Sequence, residues 1–224
     1  MSPATGLRPG LRATCPDCLR AACVCVCACL RRPGVPLTAA VQLLILQHPR
    51  EQREAKGTAR LLHQAVAGSQ LLVGAAWPEP LPAVGNAGLA RRDLLLYPAT
   101  PGDAALSAPP PLDAACLAAP ETLRLVVIDG TWRKSRRMLY DSPALQCLPR
   151  LALSAPPPSR YRIRRARGEG QLSTFEAALH ALAQLGSPPA QLAPLWAVFE
   201  AFVETLLRQG VGLSAARRAV ESTA

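Results

Sequence analysis

The run Leu123-Arg124-Leu125-Val126-Val127-Ile128, halted by Asp129-Gly130, constrains this chain more than any other stretch. An apolar run this short suits a strand buried on both faces. Gly130 permits a tight turn, and Thr131 can cap a helix that begins there. Strand, turn and helix in that order form the repeating unit of an α/β sheet. The same grammar recurs along the chain. Val41 to Leu46 reads as a buried strand, and Thr58 to Ala67 shows helical spacing through Ala59, Leu62 and Val66. Gln70 to Ala76, Leu94 to Tyr97 and Leu148 to Leu153 read as further strands. Leu172 to Leu185 reads as a helix with Ser173 and Glu176 at capping-box spacing. Pro194 to Leu207 reads as a last helix, its apolar face on Leu195, Val198, Phe199, Phe202 and Leu206. Strands alternating with helices predict an α/β fold with a mostly parallel sheet. Thr100 to Pro120, rich in Pro, Ala and Gly, reads as a surface loop or insert, and Pro156-Pro157-Pro158 as an extended segment.

The amino-terminal part obeys a different rule. Six of the eight cysteines crowd between Cys15 and Cys29. Cys15, Cys18, Cys23 and Cys25 offer four thiolates that short loops can bring onto one tetrahedral zinc ion. An iron–sulfur cluster and reduced, unliganded thiols are the alternatives. Cys27 and Cys29 continue the pattern, and either can replace Cys23 or Cys25. Cys116 and Cys147 stand alone and are expected to be small buried hydrophobes. Met1 to Thr14 lacks the apolar core of a secretory signal, which favours metal binding over disulfides and a cytoplasmic location. The apolar runs are short, so no membrane span is expected. Two domains follow from this reading: residues 1–34 as a flexible lead and zinc knuckle, and residues 35–224 as the main domain. A monomer is the expected assembly.

Charge points to the partner. The 25 Lys and Arg outnumber the 15 Asp and Glu, a formal net charge of +10. Lys56 and Lys134 are the only lysines, so the excess is arginine. Such a surplus favours a polyanion, and Arg adds bidentate phosphate contacts and flat stacking. Arg133, Lys134, Arg136 and Arg137 put four cations just past Asp129-Gly130-Thr131-Trp132. Four like charges on one short helix repel, and a bound phosphate would relieve them. In an extended chain Arg160, Arg162 and Arg164 share one face, with Arg165 alongside and Tyr161 and Ile163 on the other. That basic stripe is a workable RNA surface, or else a charged edge strand. At the carboxyl end of the clearest strand, Asp129 can accept a proton or bind a ligand, or else serve with Thr131 as turn and cap.

These residues resemble the DTW-domain family, the tRNA-uridine aminocarboxypropyltransferases. The naming motif stands as Asp129-Gly130-Thr131-Trp132. Around it lie Cys15-x2-Cys18 with Cys23-x-Cys25, Leu46-Gln47-His48-Pro49-x-Glu51, Leu96-Tyr97-Pro98, Ser159-Arg160-Tyr161-x-Ile163-Arg164 and Leu172-Ser173-Thr174-x-Glu176-Ala177. The resemblance runs from Cys15 to Phe202. It implies a fold similar to the SPOUT class with a knotted C-terminal half, and S-adenosylmethionine (SAM) as co-substrate. It implies transfer of the 3-amino-3-carboxypropyl group to N3 of a uridine in tRNA, with the bacterial branch pointing to the variable loop. Asp129 is then general base or SAM anchor, Thr131 orients the reactants and Trp132 walls the pocket. Gln47, His48, Pro49, Glu51, Tyr97, Pro98, Gly130, Leu172, Ser173, Thr174 and Glu176 become pocket residues. Zinc is structural. A SAM-dependent RNA methyltransferase and a non-catalytic zinc-containing RNA-binding module are the competing readings. The absence of a G-x-G-x-x-G after a strand agrees with a fold other than Rossmann.

Overall fold

A computed structural model describes residues 13–30, 41–82, 91–113, 117–163 and 171–210. Arg164, Arg165 and Cys116 lie outside the described residues. Five strands form one sheet: β1 (Gln42–Gln47), β2 (Gln70–Val73), β3 (Arg92–Leu96), β4 (Leu123–Asp129) and β5 (Arg150–Leu151). Every pairing is parallel, in the order β2-β1-β4-β3-β5. The last-but-one strand in the chain therefore sits at the centre, between two strands that precede it. The register sets Gln47 beside Asp129, so both residues finish at the same level.

Among the described residues the elements are completed by four short 3-10 turns and five α-helices: α1 (Ala59–Ala65), α2 (Trp132–Tyr140), α3 (Pro143–Gln146), α4 (Thr174–Gln184) and α5 (Pro189–Arg208). Strand alternation sorts the core in two. Leu43, Ile45, Leu94, Leu125 and Val127 face α1, α4 and α5. Leu44, Leu46, Leu95 and Val126 face α2 and α3 through Met138, Leu139 and Leu145. Because both faces are covered, Leu43 to Leu46 of β1 and Leu125 to Ile128 of β4 read as continuous apolar runs. Arg124 interrupts β4 at its amino end, where its guanidinium grips Asp93 of β3 with two N–H groups and donates to the Pro82 carbonyl at 2.6 Å.

The last helix starts earlier than its sequence pattern predicts. Pro189 occupies its first turn, where a missing N–H costs nothing, and the helix runs on through Pro194. Burial of Leu192, Leu195, Phe199, Phe202, Val203 and Leu206 outweighs the lost bond. At 20 residues α5 is, by length and composition, apolar enough to cross a membrane. Here its apolar face lies on the core, and Glu200, Glu204 and Arg208 line the exposed side. Gly186, at φ +88°, closes α4 in a left-handed turn, with the Ser187 N–H returning to the Leu182 carbonyl.

The cysteine knuckle packs on this core. Cys18, Val26 and Cys29 belong to the same buried cluster as α1, α4 and α5. Arg20, 4% exposed, donates to the carbonyls of Ala55 and Gly57 and lies over the Phe202 ring at 5.2 Å. Cys147 is exposed, against the expectation of burial. It follows the short α3 on the surface.

Candidate functional site

The carboxyl ends of β1, β4 and β3 build one corner. At its centre is Asp129, 5% exposed. Its Oδ2 accepts from Gln47 Nε2 at 2.9 Å, and its Oδ1 accepts from the Thr174 hydroxyl at 2.6 Å. Thr174 is the first residue of α4, so the carboxylate also meets the positive end of that helix. Asp129 thus ties β1, β4 and α4 together. Gln47 has its N–H turned to the carboxylate, which leaves Oε1 buried without a donor among the described residues.

Close approach favours Gly130, because a Cβ there would stand 3.2 Å from Lys134 Cβ and 3.4 Å from Ser135 N, so that α2 would have to give slightly. Thr131 caps α2 by accepting the Lys134 N–H. Trp132 opens the helix and is 52% exposed, its ring edge-on to Tyr97 with centroids 6.3 Å apart. Tyr97 in turn lies 5.7 Å under the Arg150 guanidinium. Arg150 lines a cleft of about 620 Å³ walled by residues 99–111, and its Nη1 donates to Thr100 Oγ1 at 2.6 Å. Its Nε and Nη2 are buried and find no acceptor among the described residues. Arg150 carries no motif, so nothing in the sequence singles it out.

His48 caps the turn Pro49–Glu51, its Nδ1 accepting the Arg50 N–H at 3.1 Å. Burial, then the nearby Lys134 charge, pull its pKa below the usual value. Nδ1 as acceptor requires the neutral ring with its proton on Nε2.

Several predicted site residues are used inside the protein. Glu176 is 1% exposed and serves a capping box, accepting from Ser173 N at 2.9 Å, from Ser159 Oγ at 2.9 Å and from Arg160 N at 2.6 Å. It braces the segment before α4 instead of facing a ligand. Glu51 pairs with Lys134 at 2.5 Å. Tyr161, predicted to contact RNA, is 4% exposed, stacks on Phe202 and donates its hydroxyl to the Lys56 carbonyl. Its ring is worth more in the aromatic core than beside a charged stripe. Arg160 is exposed, lies over Trp196 and pairs with Glu200; Arg162 is exposed nearby. Pro49 and Pro98 are exposed at the rim, and Leu172 is half-buried.

Three of the four cations of α2 find anions within the chain. Lys134 holds Glu51, Arg136 holds Asp103 at 3.0 Å, and Arg137 holds Asp141 at 2.5 Å. Arg133 is exposed without a partner among the described residues.

In the knuckle the converging sulfurs are those of Cys15, Cys18, Cys25 and Cys27, all within 4.8 Å of one another. Cys27 takes the place predicted for Cys23, which is exposed. Cys23 lies in the short turn Ala22–Val24, and that turn directs it outward. Tetrahedral Zn–S bonds of about 2.3 Å put sulfurs about 3.8 Å apart. Cys15 and Cys27 are 3.6 Å apart and Cys18 and Cys25 3.8 Å, so the donor set fits zinc. Burial alone would raise the Cys18 thiol, but backbone N–H groups of Val26 and Arg20 and the thiols of Cys15 and Cys25 bring it to about 6. Burial and the neighbouring thiols push Cys27 up. Hydrogen bonds thus favour the thiolate at Cys18, and a dication would stabilise the others.

Fold and site together define a parallel α/β protein with a polar corner at the carboxyl ends of its central strands and a four-thiol knuckle docked on its core. The DTW domain matches residues 12–207, and the chain belongs to that family. It is 35% identical over 188 residues to tRNA-uridine aminocarboxypropyltransferase 2 of Drosophila melanogaster, covering 81% of this chain and 70% of the relative. To tRNA-uridine aminocarboxypropyltransferase 2 of Macaca fascicularis it is 29% identical over 177 residues, covering 78% of this chain and 57% of that one. No solved structure matches.

Proposed function

We propose that this chain transfers the 3-amino-3-carboxypropyl group of SAM to N3 of a uridine in tRNA, releasing 5′-methylthioadenosine. The observation that carries the reading is the placement of Asp129-Gly130-Thr131-Trp132 at the carboxyl end of β4, with Asp129 clamped between Gln47 and Thr174, in a DTW-family chain.

In the reaction a bond forms between N3 and the Cγ carbon of the methionyl part. The Cγ–S bond breaks, its electron pair stays on sulfur, and the imide proton passes to a base. The sulfonium already leaves well. The work left to the protein is to present the right carbon and take one proton. Asp129 stands at the corner to do the second, or to anchor the SAM amino group through the same carboxylate. Gln47 Oε1 is an acceptor suited to that ammonium. Thr131 and the Gly130 backbone orient the reactants, and Trp132 and Tyr97 wall the corner. The tetrad of Cys15, Cys18, Cys25 and Cys27 holds zinc as a structural ion. The position of β4 between two earlier strands supports a SPOUT-like, knotted arrangement. The variable loop is the proposed tRNA region, the cytoplasm the compartment, and a monomer the working form.

The test is purified protein with SAM and unmodified tRNA, followed by nucleoside mass spectrometry. Aminocarboxypropyl-uridine with methylthioadenosine is expected. A methylated nucleoside with S-adenosylhomocysteine would identify a methyltransferase instead. RNA binding with neither product would leave a non-catalytic module.

A further inference from the structure

N3 lies on the edge of uracil that pairs with adenine. An acceptor uridine must therefore arrive unpaired, at the cost of some of its own stacking. A protein that supplies an aromatic surface at the reaction corner recovers part of that cost. We propose that Trp132 is the platform on which the acceptor uracil stacks, and that Arg133 holds a phosphate beside it. The inference rests on the tRNA-uridine reading above.

Three large hydrophobic side chains are exposed among the described residues: Val73, Leu117 and Trp132. Trp132 is the most exposed of them, at 52%, and the one that can stack on a base. Its position is braced by Tyr97, which is itself buried and pinned under Arg150. The indole is thus held in place while half its surface stays open. It stands three residues past Asp129, at the first position of α2. The next side chain, Arg133, has no acidic partner among the described residues, whereas Lys134, Arg136 and Arg137 each have one. An exposed aromatic ring and an unneutralised guanidinium one position on along the same helix suit a nucleotide, base on the ring and phosphate reaching round to the cation. The same cation disfavours the other candidate for this surface, because SAM brings a positive sulfonium.

The experiment uses the full chain and two probes, a uridine pentanucleotide and a pentamer of the same backbone without bases. The uridine oligomer should quench indole emission in the native protein, and the abasic one should not. Trp132→Ala should weaken uridine-oligomer and tRNA binding by roughly 5- to 100-fold, the scale of one lost base–aromatic stack. Trp132→Phe should stay within about threefold, since a smaller ring still stacks. Abasic-oligomer affinity and calorimetric SAM affinity should be the same in all three proteins. Arg133→Ala should lower the salt slope of tRNA binding by about one. Equal uridine-oligomer affinity in native and Trp132→Ala protein would overturn the proposal. So would a selective loss of SAM affinity, which would give the indole to the co-substrate. Binding is read here without turnover, so failure of the transfer reaction would be seen separately.

Discussion

At the scale of single residues, the two bonds onto Asp129 set its test. Asp129→Asn keeps the shape, and the Thr174 hydroxyl can turn to accept the new N–H while Gln47 still donates to the amide oxygen. The variant should lose only about 1 kcal/mol of stability in denaturant titration, the difference between charge-assisted and neutral hydrogen bonds. If the carboxylate takes the N3 proton, single-turnover release of methylthioadenosine should drop by roughly 10²–10⁴-fold while calorimetric SAM affinity holds. If it anchors the SAM amino group, the affinity should fall instead. His48, His63 and His180 all have pKa values lowered first by burial. The unfolded chain therefore takes up protons before the folded one as pH falls below about 6.5. Stability should be full above that value and decline as pH drops through it; His48→Gln should flatten part of the decline in thermal melts. Asp129 was legible as a candidate because it ends the clearest strand. Its clamp was not, because its partners lie 82 and 45 positions away and short polar residues carry no periodic signal.

At the scale of elements, α2 and the entrance to α4 behave differently from their charges and motifs. Arg136 and Arg137 are exposed ion pairs of small intrinsic worth, free to exchange carboxylate for phosphate. Replacing Arg133, Arg136 and Arg137 together by Ala should weaken tRNA binding and flatten its salt dependence, with Arg133 contributing most. An unchanged slope would make α2 a solvated face only. Glu176→Ala removes a capping box and two bonds to the preceding segment. It should cost about 2–4 kcal/mol in urea unfolding and reduce turnover indirectly, by loosening Thr174. Strand positions were readable because burial on both faces makes continuous apolar runs, as in Leu43 to Leu46 and Leu125 to Val127. The role of Glu176 was half readable. Ser173-x-x-Glu176 announces a cap, but not that the same carboxylate also holds Ser159 and Arg160.

At the scale of the whole molecule, the knuckle is part of the main core. One zinc per chain is expected by elemental analysis. Cys18→Ser and Cys27→Ser should lose it, and Cys23→Ser should keep it; retention of zinc in the Cys27 variant with loss in the Cys23 variant would restore the tetrad first expected. Spacing alone could not choose between them, since six cysteines within one short segment offer several tetrads and only the local turns select one. Chelation should also lower the melting temperature of the entire chain, because Cys18, Val26 and Cys29 share buried surface with α1, α4 and α5. That shared surface has a consequence for synthesis on the ribosome. The four-thiol tetrad spans 15 to 27 and can close as soon as those residues emerge. Its docking face cannot, because Cys29 meets Thr205 across 176 positions and Arg20 covers Phe202. A nascent chain that closes this tetrad on zinc therefore carries an unsatisfied apolar side until α5 has emerged and packed against it.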